Sequence, residues 1–374
     1  MNKRIFILAL VIIAFALVGW FYYVSSQAQQ AKSIDVVSVD WWGSAHADET
    51  AEAFIHWNED EPAEVPVNCA KCHSGQGLLD YIGQDGSTAF SVDAPGRIDD
   101  VISCEVCHNE QANVLHMAFF PSGAEISLQT GDALCATCHS GTTSGTRIDT
   151  VAEGFLDDDV IPDASFITPH YAHAAATLFG SEAQSGYQYE GKNYTDRFDH
   201  ADGVQTCTDC HDPHSLHMKD DYEGADLCAA CHSNVSDYSD YRNVFVDGID
   251  YDGDGTIEGV YHEIEGTRNV LYAAIQTYAA TTLDQSIGWA DQYPYLFIDT
   301  NENFSLEEDE VAFPNQYATF SPRLLRAAFN YQFSIKESAG YVHNGKYILQ
   351  LLNDSIQDLA QNTALDLPPL IRPE

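Results

Sequence analysis

The chain has 374 residues, and its 57 Asp and Glu against 16 Lys and Arg give a formal charge of −41 at neutral pH. That balance argues against nucleic acid as a partner, since a phosphate backbone calls for a basic face, and points instead to a basic protein or a mineral surface. Self-repulsion on this scale needs screening, and because the Debye length falls from about 10 Å at 0.1 M salt to about 3 Å at 1 M, a saline or calcium-containing setting is expected.

The first predicted element is an uninterrupted apolar run over residues 5–24, long enough to cross a hydrocarbon layer of roughly 30 Å as a helix. Lys3 and Arg4 place its start on the cytoplasmic side, and Trp20, Phe21, Tyr22 and Tyr23 read as an interfacial belt. Residues 1–28 are therefore expected to form a signal-anchor or transmembrane helix, with cleavage after Ala28 as the alternative. Either route leaves the bulk of the chain on the extracytoplasmic side, anchored to the membrane or released.

All ten cysteines fall into five Cys-x-x-Cys-His units. They are Cys69, Cys72, His73; Cys104, Cys107, His108; Cys135, Cys138, His139; Cys207, Cys210, His211; and Cys228, Cys231, His232. A zinc knuckle does not need a histidine after every second cysteine, a redox dithiol does not recur five times, and a disulfide framework explains neither spacing. Two thiols and an adjacent imidazole are what covalent haem attachment requires: thioethers to the porphyrin and a proximal ligand to the iron. On these units the chain resembles the multihaem c-type cytochromes, strongly over about residues 40–232. The resemblance implies five covalent haem c groups and a mainly α fold with much irregular loop, a pentahaem core over 29–240 followed by a helical region over 241–374.

Five irons need five further ligands, and ten histidines remain outside the units' own. A helix over Ala45–Trp57 carries two candidates, His46 and His56. His116 lies in an apolar run and is expected to be packed, and residues 140–168, free of Cys and His, are expected to form a solvated excursion. His170 and His200 are the candidates flanking the fourth unit, with His173 solvent-facing or supporting. His214 follows His211 by three residues, a spacing that resembles multihaem cytochromes in which the extra histidine serves a neighbouring haem; His217 is the weaker choice. Met117 and Met218 each follow a histidine, but bis-histidine ligation is the expected rule.

Beyond His232 the composition turns acidic, with two stretches that resemble EF-hand calcium loops. The first offers Asp250, Asp252, Asp254 and Thr256 with a glycine at the sixth place, but Tyr261 occupies the twelfth, so Glu258 or Glu263 has to substitute. The second offers Asp299, Asn301, Asn303, Ser305 and Glu310, with Phe304 where glycine belongs. One or two Ca2+ ions of structural role are expected, the loops paired by short strands at Ile257 and Leu306 and separated by a helix over Arg268–Ala280. Ser321 reads as the cap of a helix opening at Pro322, and residues 344–361 as a second helix, with His343 at its start reaching back to a haem. The strings AHADETAEAFIHW, PHYAHAA and RLLRAAFNYQF resemble segments of extracytoplasmic multihaem cytochromes that also carry calcium loops.

Supply of histidine exceeds demand, and the Cys-x-x-Cys-Lys unit that opens one iron in pentahaem nitrite reductases is absent. Electron transfer by low-potential haems is therefore the expected function, serving redox proteins or an extracellular acceptor. A reductase with one open haem and a homo-oligomer or filament sharing histidines across copies are the alternatives.

Overall fold

The computed structural model describes residues 34–201, 204–219, 226–233, 238–244 and 247–374. The apolar run at 5–24 lies outside them. Among the described residues no helix is long and apolar enough to cross a membrane.

The first half is built from short pieces. Helix α1 covers Ile34–Trp42, α2 Val67–His73, α3 Gly75–Tyr81 and α4 Thr130–Cys138. Three units end or occupy single helical turns, at Cys104–Cys107, Cys207–Cys210 and Asp226–Ala229. A helical turn is the economical frame here because residues three and four apart share a face, so both thiols and the following imidazole address one side. Gly77 lets α3 lie tight on α2, where a Cβ would stand 2.2 Å from the Ala70 carbonyl oxygen. Strands β1 (Met117–Phe119) and β2 (Glu125–Ser127) form an antiparallel hairpin with Met117 opposite Ser127.

The second half is a packed helical body. Helix α5 covers Val260–Thr282, α6 Pro322–Lys336 and α7 Gly340–Leu359, with a two-stranded hairpin of β3 (Ile287–Trp289) and β4 (Leu296–Ile298) between α5 and α6. Ser321 caps α6 as its side chain accepts the Leu324 N–H at 3.2 Å. Leu271, Ile275, Tyr278, Leu324, Phe329, Phe333, Tyr347 and Leu352 are buried between these helices. The same core continues into Ile148, Ala176, Phe179 and Ala183, so the C-terminal helices close over the middle of the haem-unit half. A smaller core gathers Phe54, Leu78, Ile82, Val106 and Leu115.

Several local expectations are corrected. The 45–57 stretch is turns with one helical turn at Glu52–Ile55, because its backbone bonds elsewhere: Ile102 N–H donates to the His46 carbonyl at 3.1 Å, while Trp41 Nε1 donates to the Ile102 carbonyl at 3.0 Å. Residues 140–168 are not a solvated excursion. They include the helical turn Thr146–Val151, bury Ile148 and Ile161, and send Asp158 to the buried Arg323 at 2.8 Å. Helix α5 begins eight residues before 268 and ends two beyond 280. Helix α7 starts before 344 and bends at Asn344, whose Nδ2 leaves the helix to donate to the Asp196 carbonyl at 3.0 Å. Ile257 and Leu306 form no strand; Ile257 is exposed, and Leu306 packs over Gly288 of β3.

Candidate haem sites

Each of the five unit histidines faces one histidine from elsewhere in the chain. Ring centroids are 5.8 Å apart for His73 and His170, and 6.2 Å for His108 and His214. They are 6.2 Å apart for His139 and His46, 6.5 Å for His211 and His343, and 6.0 Å for His232 and His200. Two imidazoles sharing one metal at nitrogen distances of roughly 2 Å place their ring centres about 6 Å apart, so these ten side chains fit iron between them.

The hydrogen bonds suit the same use. Nδ1 of His73 lies 2.8 Å from the Ala53 carbonyl, Nδ1 of His139 2.8 Å from that of Ala172, and Nδ1 of His211 3.2 Å from that of Leu216. With Nδ1 as donor, the lone pair sits on Nε2, the atom that ligates, and the ring is fixed in orientation. Burial pushes His46 down to about 4, helped by the neighbouring His139. Burial likewise lowers His73, His170, His200 and His211, each with a smaller push from a facing histidine except that His73 feels His56. Neutral imidazole is the form a metal takes.

Three units lie side by side: the free thiol of Cys72 neighbours that of Cys138, and the free thiol of Cys135 that of Cys207. Beside His46 an open cleft of about 770 Å³ is lined by Trp42, Ala47, Asp48, Ser215, Leu216 and His217.

The remaining histidines stand apart from these pairs. His56, a candidate ligand by sequence, is turned away: Trp57 stands between it and His73, with ring centroids 4.8 and 5.3 Å away, and its Nδ1 bonds Glu52 at 2.8 Å. His116 is exposed, its Nδ1 on the Val114 carbonyl at 2.9 Å, where the apolar run predicts packing. His173 is not solvent-facing but buried against Phe333. His217 is exposed, and His262 lies near Glu265 at 3.7 Å.

The two acidic loops share one backbone plan. Asp250 accepts the Gly255 N–H at 2.9 Å, and Asp299 accepts the Phe304 N–H at 2.7 Å. Asp252 and Asn301 accept from the residues two further on, as do Asp254 and Asn303. Gly255 sits at φ +93° and Phe304 at +65°, so the phenylalanine adopts the left-handed conformation that glycine takes in the first loop. Glu310 closes the second loop by accepting the N–H groups of Thr300 and Glu307. Glu263 does the same for Tyr251 and Glu258 in the first, reaching back from the first turn of α5. Glu258 contributes its N–H to that closure. Ligand-capable oxygens of Asp250, Asp252 and Asp254 lie within 4.8 Å of one another.

Five thiol-pair units, each with a facing imidazole, are the arrangement that covalent haem attachment calls for, and the comparisons with known proteins find polyheme cytochromes as relatives. The chain is similar to the C-type polyheme cytochrome OmcB of two strains of Geobacter sulfurreducens, 24% identical over 83% of this chain and 46% of that protein. It is similar also to the C-type polyheme cytochrome OmcC of the same organism, 23% identical over 83% of this chain and 44% of that one. The chain thus spans a little under half the length of the curated relatives it matches. No family profile and no solved structure matches it.

Proposed function

We propose that the chain is an electron carrier in which five haems are each tethered by one cysteine pair and ligated by two histidines of this same chain. The observation that carries this is the set of five facing imidazole pairs at 5.8–6.5 Å, one for every unit. The distal ligands are His46, His170, His200, His214 and His343. When bound, the haems supply one-electron ferric–ferrous chemistry. The protein's own part is to keep His46, His73, His170, His200 and His211 neutral by burial, to orient His73, His139, His211 and His343 through Nδ1, and to leave no iron open to substrate. Bis-histidine ligation and the surplus of acidic residues both favour ferric iron, so the potentials are low.

This favours a carrier over a reductase, and it needs no histidine from a second copy. The acidic loops each hold a Ca2+ ion that ties α5 and the β3–β4 hairpin to their neighbours. The apolar run at 5–24 delivers the chain to the extracytoplasmic side, anchored or cleaved, where a basic redox protein or an extracellular acceptor is the partner.

The test is electron paramagnetic resonance of the oxidised protein, with haem counted by the pyridine haemochrome. Five haems per chain, all low-spin, is the expected result. One high-spin haem overturns the carrier reading and restores the reductase.

A further inference from the structure

Two adjacent residues at the C-terminal end of α6 carry opposite charges, and both are nearly buried: Lys336 is 8% exposed and Glu337 5%. They face different histidine pairs. Lys336 Nζ stands 4.0 Å from the ring centroid of Tyr171 and 4.6 Å from that of Tyr295. Tyr171 in turn packs its ring 5.4 Å from that of His170, and the Lys336 charge is felt at His170. The ammonium is also paired with Asp291, whose side chain is mostly exposed, so water screens that partner more than it screens the lysine. Glu337 instead accepts a hydrogen bond from His343 Nδ1 at 3.0 Å and another from the Ala339 N–H at 3.1 Å. Both bonds are donated to the Glu337 carboxylate, and hydrogen bonds of that sense favour its ionised form.

We propose that Lys336 and Glu337 set two potentials apart, Lys336 raising that of the haem at Cys69 and Cys72 and Glu337 lowering that of the haem at Cys207 and Cys210. The proposal rests on the ligand pairs His73–His170 and His211–His343 of the preceding reading. A carboxylate on the Nδ1–H of a ligand histidine makes the ring a stronger donor and stabilises the ferric state; a cation beside the other ligand stabilises the ferrous state. An electron shared by the two sites then resides at the one beside Lys336. Each change is one electron on iron with no proton moved.

The test is a potentiometric titration of the oxidised full-length protein, each haem assigned beforehand by single distal His→Met substitutions, which raise one potential at a time. In Glu337→Gln the fourth unit's haem is expected to become about tenfold easier to reduce, about 59 mV for one electron, while the other four stay. In Lys336→Met the first unit's haem moves the opposite way. Glu337→Asp keeps the charge and holds the fourth haem near its native value, and if the glutamine variant fails to take up five haems the Lys336→Met shift carries the test. Unmoved potentials, or five that shift together, overturn the proposal. A high-spin haem in the native protein would instead sink the ligation reading beneath it, and low-spin haems with unmoved potentials sink this inference alone.

Discussion

His173 gives the sharpest quantitative test of the packing around these sites. It is 1% exposed, its ring centroid lies 4.1 Å from that of Phe333, and its Nε2 donates to the Phe333 carbonyl at 3.1 Å. Burial pushes its pKa from 6.5 down to about 4, with Glu337 pulling the other way. A histidine lowered on folding costs nothing while both states are neutral, above pH 6.5. Below that the unfolded chain takes the proton and the folded one does not, so stability falls until the pH passes the folded value. Between pH 7 and 4.5 the loss is about 2.5 kcal/mol at 1.36 kcal/mol per unit. Glutamine in its place keeps a donor for the Phe333 carbonyl and cannot titrate. Guanidinium unfolding of the oxidised protein, followed by far-ultraviolet circular dichroism, should show His173→Gln gaining about 2.5 kcal/mol on the native protein over that pH interval. Every other titrating group is common to both proteins. A native-minus-variant difference that is equal at the two pH values would refute the reasoning.

Three further outcomes are expected. Phe329→Ala empties a fully buried position in the helical core and should cost about 3–5 kcal/mol in the same unfolding measurement, without changing the number of low-spin haems. Removing calcium with a chelator should lower stability by about 2.7 kcal/mol per loop relative to a hundredfold excess of the ion over its dissociation constant, and Glu263→Gln should halve the calcium bound, read by calorimetry.

The five Cys-x-x-Cys-His units stood out because their chemistry is local: two thiols and an imidazole within five residues leave few readings besides haem attachment. The helix at Pro322 was legible for the same reason, its serine cap and proline lying next to each other. What separates His46 from His56 is not local. Both sit in the same stretch, and the choice is made by Trp57 wedged against His73 and by a backbone bond from Ile102, contacts that no window around either residue contains. Residues 140–168 looked solvated because the acids that suggest water, Asp157 and Asp158, are spoken for by Arg323, which lies far along the chain. The calcium-like loops departed from the consensus at Tyr261 and Phe304, and the fold absorbs both departures. Phe304 accepts a left-handed backbone, and the first turn of α5 swings Glu263 into the place the twelfth residue would fill.

The imidazole pairs are also interleaved along the chain. His46 reaches forward to His139 across His73, which reaches to His170; His108 reaches to His214 across His200, which reaches to His232; and His211 reaches to His343. Between His46 and His343 there is no peptide bond whose cleavage leaves every pair on one fragment. The molecule is therefore woven, not beaded: no unit inside that span can be cut out with its partner without severing another pair.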